Sequence, residues 1–330
     1  MNWMTWPIRH CLRLSSTYAA WVEIPRTRWT KRTLQHQLIA LPEGLVRPSP
    51  IIPNLPNSEE LATFLRPLIG THDHSTLTPA RSLKRPVPIS LVLPDLSARG
   101  EVLHFEAFEG RQHECEKLIR WRFQQDHVVS LNESHFTYQV YQAKNSSHGS
   151  SASVLALCIN QGILAQYEAL CNRLSLIPAH INIATLQLFN LWLTQTHTTT
   201  EQTTDGLVWV TALDGALTIL LWSQGAPLSL RIKACSLKPS TEGSVENHAR
   251  LLAEVTATLV EAEERHPQYA PTRIVYVAEP ECAASVQFLA QELGLPSQEF
   301  SWSDLRHLPA STSTTSDLLS AYAGACAAHG

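Results

Sequence analysis

One run of the chain, residues 207–231, constrains its fold more than any other: LVWVTALDGALTILLWSQGAPLSLR. Two apolar segments flank Asp214 and Gly215, and a third, shorter one follows Ser-Gln-Gly. Asp-Gly between apolar segments favours a hairpin, because both residues tolerate the positive φ of a tight turn. The run therefore predicts three consecutive strands. An aspartate beside a glycine between strands also suits a phosphate-binding loop, so Asp214 has two candidate roles: a turn residue or a metal-anchoring carboxylate.

Length and charge narrow the class of protein. A chain of 330 residues allows about two domains with substantial apolar cores. Lys and Arg total 25 against 29 Asp and Glu, with no dense basic cluster. This balance disfavours nucleic-acid binding and direct binding to a lipid surface.

The cysteines and the N-terminus favour a reducing, cytoplasmic location. The seven cysteines form no CxxC pair and their number is odd, which is typical of free thiols and not of a disulfide framework. The N-terminal MNWMTWPIRHCLRL lacks the apolar core and cleavage site of a signal peptide. No run approaches the roughly 20 apolar residues of a membrane helix, so we expect no direct membrane insertion.

Both halves of the chain begin with hairpin strands and continue with alternating strands and helices, which predicts an α/β protein with two similar lobes. The predicted strands are two within 11–24, then 87–93, 135–141, 154–159, three within 207–231, and 273–278. The predicted helices are 58–69, 113–125, 163–174, 246–264, 285–293 and one at the end of the chain. Residues 72–84 and 145–153 are predicted to be a linker and a loop.

Several of these segments, in order, resemble the PilM group of type IV pilus assembly proteins, relatives of FtsA. CEKLIRWRFQQ…LNESHFTYQVY, from Cys115 to Tyr141, is similar to the helix and following strand of that family. ISLVLPDL resembles its apolar strand ending in proline. Residues 167–192, YEALCNRLSLIPAHINIATLQLFNLW, resemble its helix, Leu-x-Pro turn and strand, and ARLLAEVTATLV, RIVYVA and VQFLAQELGL resemble its closing elements.

The resemblance implies a two-lobed actin-like (ribonuclease H-like) fold with a nucleotide cleft between the lobes. The first lobe would span residues 8–205, with a small inserted subdomain at about 86–142. The second would span residues 206–330. It is reduced, because the segment between Arg231 and the helix containing Leu251 is too short for the family's second-lobe insertion.

At the positions that bind Mg²⁺ and phosphate in the family, this chain lacks the required residues. The first Asp-x-Gly loop corresponds to Arg13, Leu14 and Ser15, and the second to Thr211, Ala212 and Leu213. The adenosine-contacting Gly-Gly corresponds to Glu279 and Pro280, and proline has no N–H to donate. The family's Asp-x-Glu corresponds to the uncharged residues 182–184.

These replacements predict a degenerate nucleotide site: no catalytic residue, no metal and no cofactor, and hence a pseudo-ATPase. Asp214 lies beyond the carboxylate position of the second loop, so the interpretation as a turn residue is favoured. ATP and Mg²⁺ binding is expected only if the loops have been aligned out of register.

The resemblance also implies a function. Members of the PilM group bind the cytoplasmic N-terminal peptide of PilN, a bitopic inner-membrane protein, in a groove at the inserted subdomain. We therefore expect a cytoplasmic scaffold of type IV pilus or related pseudopilus assembly, held at the inner membrane by a PilN-like partner. The residues predicted to line the groove are Leu118, Trp121, Phe136, Tyr138 and Val140. Self-association is left open.

Three alternatives stay open: an active actin-like ATPase, a GspL-like component of type II secretion, and a sugar-kinase-like enzyme. The absence of a membrane segment disfavours a complete GspL, and the absence of an aspartate after a Gly-rich turn disfavours the kinase. Arg120, Trp121 and Arg122 could stack on nucleobases. A packed Trp121 between two solvated arginines is the favoured interpretation.

Overall fold

The computed structural model describes residues 8–25, 34–70, 86–106, 108, 110–127, 130–142, 151–196, 206–235, 244–305 and 316–327. The predicted linker at 72–84 lies outside these residues, as does most of the predicted loop at 145–153. In chain order, the described strands are β1 (His10–Leu14), β2 (Tyr18–Glu23), β3 (Gln35–Ala40), β4 (Val87–Leu93), β5 (Arg99–Phe105), β6 (Ser134–Gln142), β7 (Ala152–Asn160), β8 (Leu176–Ile183), β9 (Leu207–Leu213), β10 (Ala216–Ser223), β11 (Ala226–Ala234), β12 (Arg273–Ala278) and β13 (Ser297–Glu299). The described α-helices are α1 (Ser58–Gly70), α2 (Gln112–Asp126), α3 (Gln161–Arg173), α4 (Ala184–Thr196), α5 (Ser244–Arg265), α6 (Pro280–Glu292) and α7 (Ser316–Ala327).

Two five-stranded sheets share one topology. The first has the order β3-β2-β1-β4-β8 and the second the order β11-β10-β9-β12-β13. In each sheet the first three strands are antiparallel and the last three, beginning with the shared central strand, are parallel. Each parallel connection carries a helix, as a crossover between parallel strands requires. The duplication predicted from the sequence is therefore confirmed at the level of strand order.

The hairpin run of the second sheet forms as predicted. Leu213 pairs with Ala216 across a two-residue turn in which Asp214 and Gly215 have φ of 55° and 68°. A type I′ turn requires positive φ at both central residues, and Asp-Gly supplies it at low steric cost. Asp214 is therefore a turn residue.

A third sheet, of order β5-β7-β6, is inserted in the chain between β4 and α3. It is antiparallel, and α2 covers one of its faces. The observed sheet runs from Arg99 to Asn160, whereas the predicted insertion is 86–142. The difference arises because β4 pairs with β1 in the first sheet, and because β7 is the central strand of the inserted sheet.

The chain divides into two compact units. The first comprises Met1–Ser97, Gly162–Thr199 and Ser301–Gly330, and the second comprises Ala98–Gln161 and Thr200–Phe300. The first unit thus contains the first sheet with α7, and the second contains the second sheet together with the inserted sheet. The lobe boundaries at residues 205 and 206 stay a prediction.

The final helix, α7, packs on the first sheet and on α4. Its approach is close at Gly324, where an added Cβ would lie 2.5 Å from Val92 Cγ2 and 2.7 Å from Cys11 Sγ. A small residue is therefore required at this crossing. Within the described residues, no helix is both long enough and apolar enough to cross a membrane.

Candidate functional site

The three parallel strands of the first sheet have their carboxyl ends side by side, and this end of the sheet, called the edge below, is where α/β sheets usually bind ligands. Arg13 pairs with Val92, and Leu93 with Ile183, so the ends of β1, β4 and β8 align. The first predicted loop, Arg13 to Ser15, lies at this edge. Its geometry decides what the edge can bind.

Arg13 occupies the position at which the family resemblance places the first carboxylate. Its side chain is fully buried and its Nε lies 3.5 Å from Asp317 Oδ1. Nη1 donates to the carbonyl oxygen of Leu14 at 2.6 Å. A buried cation needs a partner, and Asp317, the second residue of α7, supplies it. The ion pair therefore joins β1 to the N-terminal end of α7.

Ser15 completes the β1–β2 turn and adds a second link to α7. Its Oγ accepts a hydrogen bond from Tyr18 N at 2.8 Å and lies within donating distance of Asp317 Oδ2, at 3.4 Å. Leu14, between the two, is buried in the core. All three residues of this predicted loop are thus engaged in the structure of the first unit.

Side chains of this chain also form hydrogen bonds at the carboxyl ends of β4 and β8. Asp95, which is 2% exposed, accepts a hydrogen bond from Thr185 N at 3.0 Å and another from Thr185 Oγ1. These bonds cap the start of α4. Asn182 Oδ1 accepts from Ile183 N at 2.9 Å. Asp95 is thus a second buried carboxylate here, in addition to Asp317, and it holds a helix N-terminus.

In the second unit, the other two predicted loops lie next to each other. Thr211, Ala212 and Leu213 end β9, and all three are buried. Glu279 N donates to Ala212 O at 3.0 Å, and Glu279 Oε1 accepts from Asp214 N at 2.9 Å. Pro280 is the first residue of α6. Glu279 therefore links the β9–β10 turn to the start of α6.

Two features of these strand ends, each within its own unit, bear on nucleotide binding. Mg²⁺ prefers carboxylate and water oxygens, and a buried guanidinium would repel it. Pro280 cannot donate a backbone hydrogen bond to a phosphate. Among the described residues, no group of three or more His, Cys, Asp or Glu could hold a metal ion.

Sequence reasoning missed Asp95, Asp317 and Thr185. Asp95 had a local signal, since it follows Pro94 at the end of a buried strand, where polar residues often face a ligand. Asp317 had a weaker signal, a position just after Ser316 at the start of an apolar helix. Its partner Arg13 lies some three hundred positions away in the chain, and spacing alone cannot connect the two.

The residues predicted to bind a partner divide into two sets in the inserted sheet. Leu118 and Trp121 lie on the outer face of α2, 40% and 55% exposed. Phe136, Tyr138 and Val140 lie on the α2-facing side of β6. Trp121 is therefore a surface side chain, and the interpretation as a packed tryptophan is wrong.

Phe136 belongs to the core of the inserted sheet. It is 8% exposed, its ring meets Phe123 edge-on at 5.1 Å, and the Arg120 guanidinium lies 5.0 Å from its ring centroid. Ile119 and Phe123 form the buried stripe of α2. Phe136 is thus placed to stabilise the subdomain, with Tyr138 and Val140 only partly covered beside it.

Phe105 and Phe108 extend this partly covered apolar surface at the far end of β5. Their rings lie 5.3 Å apart, and both pack against the core formed under α2. We call Phe105, Phe108, Tyr138 and Val140 the aromatic shelf. Next to it, β6 is the outer strand of its sheet, and no described strand pairs with its outer edge.

Comparison with known proteins identifies the fold. No protein-family model and no curated protein sequence matches the chain. Among solved structures, a chain of a PilM–PilN type IV pilus biogenesis complex superposes with a TM-score of 0.72 at 14% identity, covering 99% of each chain. The chain has the predicted actin-like fold.

Two other solved structures are less similar. One is a protein of unknown function with an actin-like ATPase fold from Bacteroides thetaiotaomicron, with a TM-score of 0.47 at 11% identity, covering 91% of this chain and 94% of that chain. The other is the ethanolamine utilization protein EutJ from Carboxydothermus hydrogenoformans, with a TM-score of 0.44 at 9% identity, covering 99% of this chain and 91% of that chain.

Proposed function

We propose that this chain is a PilM-like docking subunit of type IV pilus or related pseudopilus assembly. The observation that carries the proposal is the full-length similarity to a chain of the PilM–PilN complex, which includes the inserted sheet as well as both five-stranded sheets. The other solved structures compared above fall below a TM-score of 0.5. The partner would be a PilN-like bitopic membrane protein. The chain would act in the cytoplasm, held at the inner membrane by that partner.

The inserted sheet offers two features suited to an extended peptide. The outer edge of β6 presents backbone N–H and C=O groups, which a peptide can pair with by strand addition. Tyr138 and Val140 of the aromatic shelf lie on the α2-facing side of the same strand and can receive alternate apolar side chains of that peptide. Backbone pairing would supply affinity, and the shelf would supply specificity.

Leu118 and Trp121 provide a second apolar patch, one turn apart on α2. Large exposed apolar side chains at helical spacing are typical of an interface. Burying a Trp side chain of this size contributes on the order of 2–3 kcal/mol. We propose that the partner segment contacts this patch as well as β6.

We also propose that docking does not depend on a nucleotide. The support is the buried Arg13–Asp317 pair in the first unit and the Glu279–Pro280 corner in the second. Both occupy, with side chains of this chain, positions at which the family resemblance places nucleotide-binding loops. No bond is made or broken in the proposed function.

Calorimetric titration with the cytoplasmic N-terminal peptide of a PilN-like protein from the same organism tests the proposal. We expect saturable binding that is unchanged by Mg-ATP. Trp121→Ala should weaken it at least tenfold. The control is Val260→Ala, which removes a similarly exposed apolar side chain from α5 and should leave affinity unchanged. No binding to the wild-type protein, or equal losses in both variants, would contradict the proposed docking.

A further inference from the structure

Two histidines meet where the inserted sheet packs against β11 in the second unit. His104 Nε2 lies 2.8 Å from the carbonyl oxygen of Leu228 and 3.2 Å from Nε2 of His266. His104 Nδ1 lies 3.1 Å from Ser153 Oγ. The two imidazole rings are 4.3 Å apart, edge to face. His104 is on β5, Leu228 on β11, and His266 directly follows α5.

The hydrogen-bond partners fix the protons. A carbonyl oxygen can only accept, so His104 Nε2 must carry a hydrogen and donate it to Leu228. His104 Nδ1 then accepts from the Ser153 hydroxyl. His266 Nε2 lies 3.2 Å from the same nitrogen, so it fits beside this single N–H only without a hydrogen of its own, as a second acceptor that shares it. The arrangement is therefore complete when both imidazoles are neutral.

Burial and the nearby charges together favour the neutral forms of both histidines. Arg265 is next to His266 in the chain and forms an ion pair with Glu261, and Glu101, paired with His127, is the nearest carboxylate on β5. Burial is the largest effect on His104 and lowers its pKa; the hydrogen bond to the Leu228 carbonyl raises that pKa, Arg265 lowers it and Glu101 raises it, and the net direction is downward. Burial also lowers the pKa of His266, with His104 and Arg265 lowering it further.

The contact around this pair is close. At Gly100 on β5, an added Cβ would lie 2.7 Å from Cδ2 of Leu230 on β11. Tyr141 on β6 meets Trp222 on β10 edge-on at 5.4 Å. Because these faces pack closely, a repulsive N–H to N–H contact at the pair should weaken the packing between them.

We propose that His104 and His266 form an acid-sensitive latch that holds the inserted sheet against β11 while both are neutral and releases it when His266 is protonated. Protonation places an N–H on His266 Nε2, facing the N–H of His104 at 3.2 Å. The contact then becomes repulsive, because neither nitrogen can accept. The latch is independent of the partner proposal, since it involves only residues of this chain.

The expected pH dependence follows from the lowered pKa values. A histidine whose pKa is lower in the folded state than in the unfolded state binds fewer protons when folded, so stability rises with pH. The contribution is complete well above about pH 6.5, the value for an unperturbed histidine, and is lost as the pH falls below it. The latch is therefore closed at neutral pH and opens on acidification.

Hydrogen exchange at pH 7.5 and pH 5.5, corrected for intrinsic rates, tests this inference. In the wild type, the amides of β5 and β11 should exchange at least tenfold faster at the lower pH. His266→Gln, which keeps an acceptor but cannot be protonated, should abolish the difference. The control is His180→Gln, a half-buried histidine of the first unit, which should leave the difference in β5 and β11 unchanged.

Proton NMR of the wild type provides a second measurement that does not depend on a variant folding. His266 should titrate below its unperturbed value, and His104→Gln should raise its midpoint. Titration of His266 at or above the unperturbed value would overturn the inference. So would acid-induced exchange that is equal in the wild type and His266→Gln.

Discussion

Removing Asp317 isolates a buried cation, which makes the Arg13–Asp317 pair the most informative contact to perturb. Arg13 is fully buried and its Nε lies 3.5 Å from Asp317 Oδ1, whose side chain is 11% exposed. At that separation and an effective dielectric constant of about 20, the attraction is about 5 kcal/mol. Asp317→Asn should therefore lower the free energy of unfolding of the first unit by about 3–5 kcal/mol, the usual cost of leaving a buried charge unpaired.

The double variant separates charge pairing from packing. Arg13→Met keeps much of the apolar volume and removes the cation, so Arg13→Met with Asp317→Asn should lose less than the sum of the two single changes. We expect a coupling energy of about 2–3 kcal/mol, near the upper end for contacting residues. Glu23→Gln is the matched control, because Glu23 faces Arg9 at 3.6 Å but is 18% exposed. It should cost less than about 1 kcal/mol.

Urea unfolding measures the free energies of unfolding of these variants. Hydrogen exchange in β1 assigns the transition of the first unit. Additive losses in the double variant, or a cost for Asp317→Asn no larger than that for Glu23→Gln, would refute the role assigned to the pair.

Three further predictions concern other parts of the chain. Gly206→Ala should destabilise the second unit by several kcal/mol in urea unfolding, because the added Cβ would lie 2.2 Å from a backbone oxygen. Gly215→Ala meets nothing within 4 Å and should cost only its positive-φ strain, about 1–2 kcal/mol. Equal costs for the two variants would contradict this prediction. Phe136→Ala should lower the melting temperature and the free energy of unfolding, the latter by about 3–5 kcal/mol, while Trp121→Ala should change the free energy of unfolding by less than about 1 kcal/mol. A larger loss for Trp121→Ala than for Phe136→Ala would place Phe136 outside the core. Burial lowers the pKa of His180, so the first unit should lose stability as the pH falls below about 6.5. His180→Gln should make the free energy of unfolding of this unit less dependent on pH. An unchanged slope in the variant would assign the pH dependence to other groups.

Local patterns were sufficient to predict most elements of the fold. Val87–Leu93 and Arg273–Ala278 were predicted with the observed bounds, because each is a short apolar run bounded by turn residues. The Asp-Gly turn was predicted because few residue pairs adopt positive φ twice in succession. Such signals depend on neighbouring residues alone, and the sequence displays them directly.

Pairing between distant strands could not be predicted in the same way. The sequence of β4 is compatible with either sheet, and only its parallel register with β1 assigns it to the first. The pattern of α2 was also misleading, since four apolar residues suggested a broad buried face, whereas only Ile119 and Phe123 are buried. The exposed Trp121 is therefore a finding of the structure.

At the candidate site, too, contacts between residues far apart in the chain could not be predicted from the sequence. The family resemblance predicted that Arg13 stands in place of a carboxylate, but it did not predict the partner Asp317, because α7 reaches β1 only through the tertiary fold. The contact between Glu279 and the Asp214 amide likewise joins two loops that are far apart in the chain. The resemblance led to a prediction about these loops, and the structure shows which interactions their residues make.

Calorimetric titration of the wild-type chain with Mg-ATP, alongside the partner peptide, tests the central claim most directly. The account predicts heat of binding for the peptide and none for millimolar Mg-ATP, since Asp317 is already paired with Arg13. Saturable Mg-ATP binding that is stronger than peptide binding would contradict it.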